Sequence, residues 1–141
     1  MKICVLIILL LSPWFSYATD EVLDTDVREV WSGGYWKDKS NEGFYRFVIL
    51  GGGIDHYKTK LYIQWITAGT DFEKPQVLKS VSINELNQTP VYSFGLPECI
   101  GDTNCSSVSI YATNVYDLSK HIIQIHLQSG VGVYSYESAA L

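Results

Sequence analysis

The clearest structural signal in the chain is the stretch Lys60-Leu-Tyr-Ile-Gln-Trp65, in which aliphatic or tryptophan side chains occupy every second position. Successive side chains of a strand point to opposite faces of its sheet, so this period of two predicts a half-buried β-strand. The same alternation recurs at 107–112 and at 122–127. Three strands of this kind favour an all-β chain.

Less regular apolar runs predict five further strands, at 27–36, 44–50, 77–83, 91–94 and 131–136. Turn-forming residues separate the runs at intervals of about 10–15 residues, which is typical of an antiparallel β-sandwich or small barrel of about seven or eight strands. One helical turn is predicted at 83–87. Gly33-Gly34 predicts a bulge in the first strand. In the last strand, Tyr134 and Tyr136 would share the face opposite the aliphatic core.

The N-terminus has the layout of a secretory signal peptide. Lys2 precedes an unbroken apolar run at 3–11, and Ser16-Tyr17-Ala18 place small residues where such peptides are cut. We expect cleavage after residue 18, which leaves an acidic arm, 19–26, and one β domain, 27–141. No later apolar run is long enough to cross a bilayer, so we predict a secreted or periplasmic protein without a transmembrane segment.

Cys99 and Cys105 remain in the predicted mature chain. In an oxidising compartment an even number of cysteines indicates a disulfide, and Gly101, Asp102 and Asn104 favour the tight loop that it would close. Metal binding fits less well because no histidine is near in sequence, and redox chemistry fits less well because redox cysteines are spaced more closely. We therefore predict one short disulfide loop.

Several functional classes have little support in the sequence. The chain carries 10 basic and 15 acidic residues, and a net charge of −5 disfavours nucleic-acid binding. Gly51-Gly52-Gly53 leads into a strand and lacks a phosphate-loop lysine, which indicates a hairpin loop. His121 and His126 lie five apart on one strand and would face opposite sides. We assign no catalytic residue, metal ligand or cofactor, and a hydrolase with a dispersed site stays a minor alternative.

Tyrosines most suggest a binding surface, because each offers a large area, few torsions and one polar tip, although tyrosine is also common in strands. Arg46 is the one charge in its apolar strand, and it would either pair with a carboxylate at the sheet edge or anchor an anion. The loop 51–59 is a second contact region. The candidate binding face comprises Tyr62, Tyr111, Tyr134, Tyr136, His56 and Arg46.

Three stretches, Gly34-Tyr-Trp36, Gly43-Phe-Tyr-Arg-Phe-Val48 and Leu61-Tyr-Ile-Gln-Trp65, resemble small exported proteobacterial β-domain proteins of unassigned function. Those proteins carry a Gly-x-Tyr-Arg strand followed by a Tyr-x-Gln-Trp strand, and the resemblance implies a bacterial exported β domain. The chain is also similar to small periplasmic lysozyme inhibitors, which are disulfide-bearing β domains with a Ser-Gly-x-x-Tyr loop. Here Ser129-Gly130 is followed by Tyr134, one position later than in that pattern, so the similarity assigns no inhibitory residue.

The sequence as a whole favours an exported, non-catalytic binding domain with a protein partner in the envelope or the extracellular space. The partner would contact the tyrosine-bearing sheet face or the loop 51–59. Two alternatives stay open: a hydrolase-inhibitor-like periplasmic protein, and a subunit of an envelope assembly that pairs through an open sheet edge.

Overall fold

The structure is a computed structural model, and it describes residues 24–54 and 56–141. The predicted signal peptide, 1–18, and most of the predicted acidic arm lie outside the described residues. The end of that arm is exposed and forms a turn, in which the Val27 amide donates to the Asp24 carbonyl oxygen at 3.1 Å.

Nine strands and one helical turn follow one another in the described residues: β1 (Val27–Lys37), β2 (Glu42–Gly52), β3 (Lys58–Thr67), β4 (Val77–Ser82), α1 (Asn84–Asn87), β5 (Tyr92–Phe94), β6 (Glu98–Cys99), β7 (Ser107–Asn114), β8 (Lys120–Leu127) and β9 (Tyr134–Ala140). One antiparallel sheet has the order β1-β2-β3-β4, and the second has the order β5-β7-β8-β9 with β6 paired to β7. The predicted antiparallel all-β fold is confirmed, as two sheets. In the described part of the chain, no helix is long and apolar enough to cross a membrane.

The hydrophobic core lies between the inner faces of the two sheets. In β3, burial alternates as the sequence predicts, and Leu61, Ile63 and Trp65 are almost completely buried. In the second sheet, Ile110 of β7 and Ile123 of β8 pair directly, and both place a fully buried aliphatic side chain in the core. Burying an aliphatic or aromatic side chain of this size stabilises a fold by about 1.5–3 kcal/mol, so this alternation is the main source of stability.

Two buried polar side chains connect elements that do not pair through their backbones. Thr59 of β3 donates its hydroxyl to the Tyr92 carbonyl oxygen at 3.0 Å and accepts from the Phe94 amide at 3.1 Å, which joins the first sheet to β5 of the second. Asn87 of α1 accepts from the Leu61 amide at 2.9 Å and donates to the Leu61 carbonyl oxygen at 2.7 Å. A four-residue helix is therefore held on β3 by its side chain.

The last strand differs from the prediction in position and in face. β9 begins at Tyr134 rather than at 131, because a turn through Gly130 and Gly132 occupies the preceding residues; the Val133 amide donates to the Gly130 carbonyl oxygen at 3.1 Å. A shift in strand register changes which side chains face inward. Tyr134 and Tyr136 are thus half-buried against the core, and their predicted place on the opposite face is wrong.

Candidate functional site

The disulfide loop, residues 99–105, covers one end of the sandwich. Cys99 and Cys105 form the predicted disulfide. Cys105 is buried within the hydrophobic core, whereas Cys99 is exposed on β6. The Ile100 amide donates to the Ser107 carbonyl oxygen at 2.8 Å, so the loop is fixed at its base to β7.

A bulge in β1 receives the disulfide loop. The pairing of β1 with β2 shifts register between Gly33 and Trp36, which agrees with the predicted bulge. Gly34 there has φ of +71°, and the neighbouring Tyr35 amide donates to the Asn104 carbonyl oxygen at 3.0 Å. A Cβ atom at Gly34 would lie 2.6 Å from that same oxygen. The loop can approach β1 this closely because the residue is glycine.

A cleft of about 350 Å³ opens beside the disulfide loop. This volume lies at the lower end of the range of about 300–1,000 Å³ that is common for small-molecule sites. The first sheet provides its aromatic floor, and the disulfide loop and the turn between β8 and β9 provide polar walls. The residues that line it include Tyr35, Trp36, Tyr45, Trp65, Asp102, Asn104, Ser106, Gln128, Ser129 and Gly130.

The floor of the cleft consists of three aromatic side chains on neighbouring strands. Tyr45 of β2 and Trp65 of β3 pair directly, and their rings meet edge to face with centroids 6.0 Å apart. Trp36 of β1 fixes its ring by donating its indole N–H to the Phe44 carbonyl oxygen at 3.0 Å. Because Trp36, Tyr45 and Trp65 are only 6%, 4% and 1% exposed, the floor is closely packed and offers a ligand little ring surface.

Two polar groups of this floor have no partner within the described residues. They are the hydroxyl of Tyr45 and the indole N–H of Trp65, on side chains that are only 4% and 1% exposed. No fully enclosed side-chain nitrogen or oxygen in that part of the chain lacks a hydrogen bond, so both groups keep contact with solvent, and both side chains line the cleft. Burial, and after it the negative charge of Asp102, raises the pKa of Tyr45, which keeps its hydroxyl protonated and able to donate.

The rim of the cleft carries charges that are already paired or hydrogen-bonded. The Ser106 hydroxyl donates to Asp102 at 2.9 Å, and this bond together with the Ser106 amide lowers the pKa of the Asp102 carboxyl. Tyr35 donates its hydroxyl to Glu42 at 2.9 Å, and Lys37 forms a salt bridge with the same carboxylate at 2.8 Å. Asp102 therefore stays ionised as an acceptor, while the charge of Lys37 is largely compensated.

The predicted tyrosine-bearing face is not one continuous surface. Tyr62 lies on the outer face of the first sheet, since its neighbours Leu61 and Ile63 point into the core. Tyr111 is 54% exposed on the outer face of the second sheet, on the opposite side of the sandwich. With Tyr134 and Tyr136 packed against the core, the structure does not bring the four tyrosines together.

Arg46 lies on the outer face of β2, which is a central strand and not an edge. Its Nε donates to the Gln64 Oε1 at 2.7 Å, so an amide takes the place of the predicted carboxylate. Among the residues that the structure describes, the sole salt bridge is the one between Lys37 and Glu42.

The loop 51–59 lies at the end of the sandwich opposite the disulfide. His56 is exposed, and its ring centroid is 4.9 Å from that of Tyr116 in the turn between β7 and β8. Lys58 places its ammonium 4.9 Å from the centroid of the same ring. The described residues of the loop, His56 among them, are therefore remote from the cleft.

The histidines of the second sheet do not have the geometry of nucleophilic catalysis. The Ser119 hydroxyl lies 3.1 Å from the His121 Nε2 and donates to Asp117 at 2.6 Å. The hydroxyl thus lies between the carboxylate and the imidazole, whereas a catalytic triad needs the imidazole in the middle. His126 faces the other side of β8, as predicted, and contacts the Ser107 hydroxyl at 2.8 Å. Within residues 24–54 and 56–141, no three His, Cys, Asp or Glu residues are grouped so that they could hold a metal ion.

Comparisons with known proteins returned no family model, no curated protein and no solved structure that matches the chain. The resemblances to exported β-domain proteins and to lysozyme inhibitors therefore stay predictions.

Sequence reasoning missed the cleft as a site. Tyr45 and Trp65 lie in the stretches that resemble exported proteobacterial β-domain proteins, but their sequence pattern is that of ordinary strand residues. One signal was available: Trp36 and Tyr45 flank the turn between the first two strands, and the predicted hairpin loop 51–59 places Trp65 beside Tyr45. The polar wall from 128–131 gave no signal, because its proximity depends on the packing of the two sheets.

Proposed function

We propose that the protein is an exported, non-catalytic binding domain whose partner in the envelope or the extracellular space docks in the aromatic cleft. The observation that carries this proposal is the pair of unpartnered donors, on Tyr45 and Trp65, at the floor of an open cleft. Buried polar groups normally have partners, so donors left open to a cleft are available to a ligand. The disulfide and the signal-like N-terminus support export.

A binding role is a better account of the cleft than catalysis. Chemistry in a cleft usually needs an activated nucleophile or a base near a place where substrate can lie. No histidine is among the residues that line this cleft, and its carboxylate, Asp102, is already held by Ser106. The groups that remain can position a partner by hydrogen bonds and aromatic contacts.

Affinity capture tests this proposal. The oxidised, exported protein is immobilised and exposed to envelope and secreted fractions of the source cell, and bound partners are identified by mass spectrometry. Two variants accompany the wild type: Tyr35→Ala, which removes a ring from the cleft rim, and Tyr111→Ala, which removes a ring from the outer face of the second sheet. The two tyrosines are comparably exposed, at 43% and 54%, so they form a matched pair.

We expect a stoichiometric partner to be retained by the wild type and by Tyr111→Ala, and to be lost or strongly reduced with Tyr35→Ala. If Tyr35→Ala retains the partner and Tyr111→Ala loses it, the cleft is not the docking site.

Inhibition of an exported hydrolase is a second candidate function. Ser129 and Gly130, the residues that carry the similarity to periplasmic lysozyme inhibitors, line the cleft rather than a remote surface. The test is the rate of lysozyme-catalysed cell-wall lysis in the presence of a molar excess of the protein. Inhibition that is lost with Ser129→Ala would support this function, and an unchanged rate would reject it.

A further inference from the structure

The hydrogen-bonding groups of the cleft indicate what kind of ligand it takes. Its floor provides the indole N–H of Trp65, which can only donate, and the hydroxyl of Tyr45, which can donate and accept. Its walls provide an ionised acceptor, Asp102, and groups that both donate and accept, such as Asn104 and Gln128. A matching ligand must therefore carry acceptors and donors close together.

The charge around the cleft argues against an anion. The whole chain has a net charge of −5, and the carboxylate of Asp102 lies at the cleft itself. The lysine on the rim, Lys37, is paired with Glu42 at 2.8 Å. Neighbouring negative charge disfavours an anionic ligand, since like charges repel. The indole N–H of Trp65 can only donate, so a matching ligand must carry an acceptor, which a bare ammonium group lacks.

Aromatic rings complete the description of the ligand. Tyr35, which is 43% exposed at the rim, offers the main aromatic surface of the cleft, because Trp36, Tyr45 and Trp65 are only 6%, 4% and 1% exposed. The C–H face of a pyranose ring can pack on one such ring, while its hydroxyl groups donate and accept around its edge. From this combination we infer that the cleft binds a neutral saccharide. The inference rests on the proposed binding function and specifies its ligand class: the captured partner would present a neutral glycan to the cleft.

Isothermal titration calorimetry of the oxidised protein in its exported form tests this inference. The probes are three neutral trisaccharides, chitotriose, cellotriose and maltotriose, and one anionic trisaccharide, trigalacturonate. We expect at least one neutral trisaccharide to bind, and the anionic one to bind more weakly than it. Tyr35→Ala should reduce the affinity about tenfold, whereas Tyr35→Phe, which keeps the ring but loses the bond to Glu42, should retain it. Gln128→Ala, an exposed change on the opposite wall, should also weaken binding.

The inference is wrong if none of the three neutral trisaccharides binds, if trigalacturonate binds most tightly, or if Tyr111→Ala reduces the affinity as much as Tyr35→Ala does. Its failure is distinguishable from that of the proposed function. If no saccharide binds but Tyr35→Ala still abolishes partner capture, the cleft remains the docking site and only the ligand class is wrong. If Tyr35→Ala leaves both measurements unchanged, the binding function of the cleft is wrong as well.

Discussion

Gly34 allows the disulfide loop, which forms one wall of the cleft, to lie close against β1. Its φ of +71° is unfavourable for other residues, and a Cβ atom would meet the Asn104 carbonyl oxygen at 2.6 Å. Gly34→Ala should therefore lower the free energy of unfolding by about 1–3 kcal/mol. Urea denaturation measures this, with Gly52→Ala as the control, since a Cβ there has no neighbour within 4 Å. Equal losses in the two variants would contradict the close approach of the disulfide loop.

The stability of the fold should depend on pH through Tyr134. It donates its hydroxyl to Glu85 at 2.8 Å, and burial, followed by this bond, raises its pKa from 10.0 to about 12. Folding thus favours the neutral phenol. Between these values the unfolded chain ionises before the folded one, so the contribution of Tyr134 to stability is complete below pH 10 and is lost as the pH rises towards 12.

Denaturation of wild type and Tyr134→Phe over this pH range tests the expected effect. The unfolding free energy of the wild type should fall relative to that of the variant above pH 10, because phenylalanine has no proton to lose. Parallel curves would show that the folded and unfolded chains ionise this tyrosine alike.

At the element scale, α1 depends on the side chain of Asn87. The side-chain oxygen of Asn87 accepts from the backbone N–H of Leu61 at 2.9 Å. Leu61 lies just outside the part of β3 that pairs with β4. Asn87→Ala would leave a buried N–H group without its partner, which costs about 1–3 kcal/mol. Thermal or urea unfolding measures the loss. Asn84→Ala, an exposed change in the same helix, should alter stability by less than about 0.5 kcal/mol, and a comparable loss there would contradict this role of Asn87.

Some strands can be predicted from the sequence more accurately than others. The strand around 60–65 is predictable because one face meets the core and the other meets solvent, so burial and sequence share a period of two. β9 is not, because Val131 and Val133 look like strand residues but lie in a turn that Gly132 allows with φ of +84°. Alternation locates a strand, but the turn before it determines which face is buried.

The cleft is still less predictable, because its parts come from segments far apart in the chain. Tyr45 and Trp65 become neighbours by pairing of β2 with β3, which the strand pattern anticipates. Asn104 and Gln128 reach them only when the second sheet packs on the first. No local sequence pattern predicts how the two sheets pack. For the same reason, the tyrosines that were expected on one face lie on different faces.

At the scale of the whole molecule, the disulfide is expected to matter more for the cleft than for the fold. The two cysteines are six positions apart in sequence. The entropy of closing so short a loop contributes about 2 kcal/mol to the free energy of unfolding. The strands of both sheets are held by the core and their own pairing. The double variant Cys99→Ser/Cys105→Ser should therefore keep its β-type circular dichroism spectrum, unfold at lower urea concentration, and lose partner capture. A variant that captures its partner normally would contradict the role of the loop as a cleft wall.

We expect the partner to contact the cleft at the disulfide end and not a face of either sheet. Tyrosine labelling with and without the captured partner, read by mass spectrometry, tests this most directly, because Tyr35, Tyr62 and Tyr111 report on the cleft and on the two outer faces. We predict that the partner protects Tyr35 and leaves Tyr62 and Tyr111 as reactive as in the free protein. Protection of Tyr62 or Tyr111 with Tyr35 unchanged would contradict the claim.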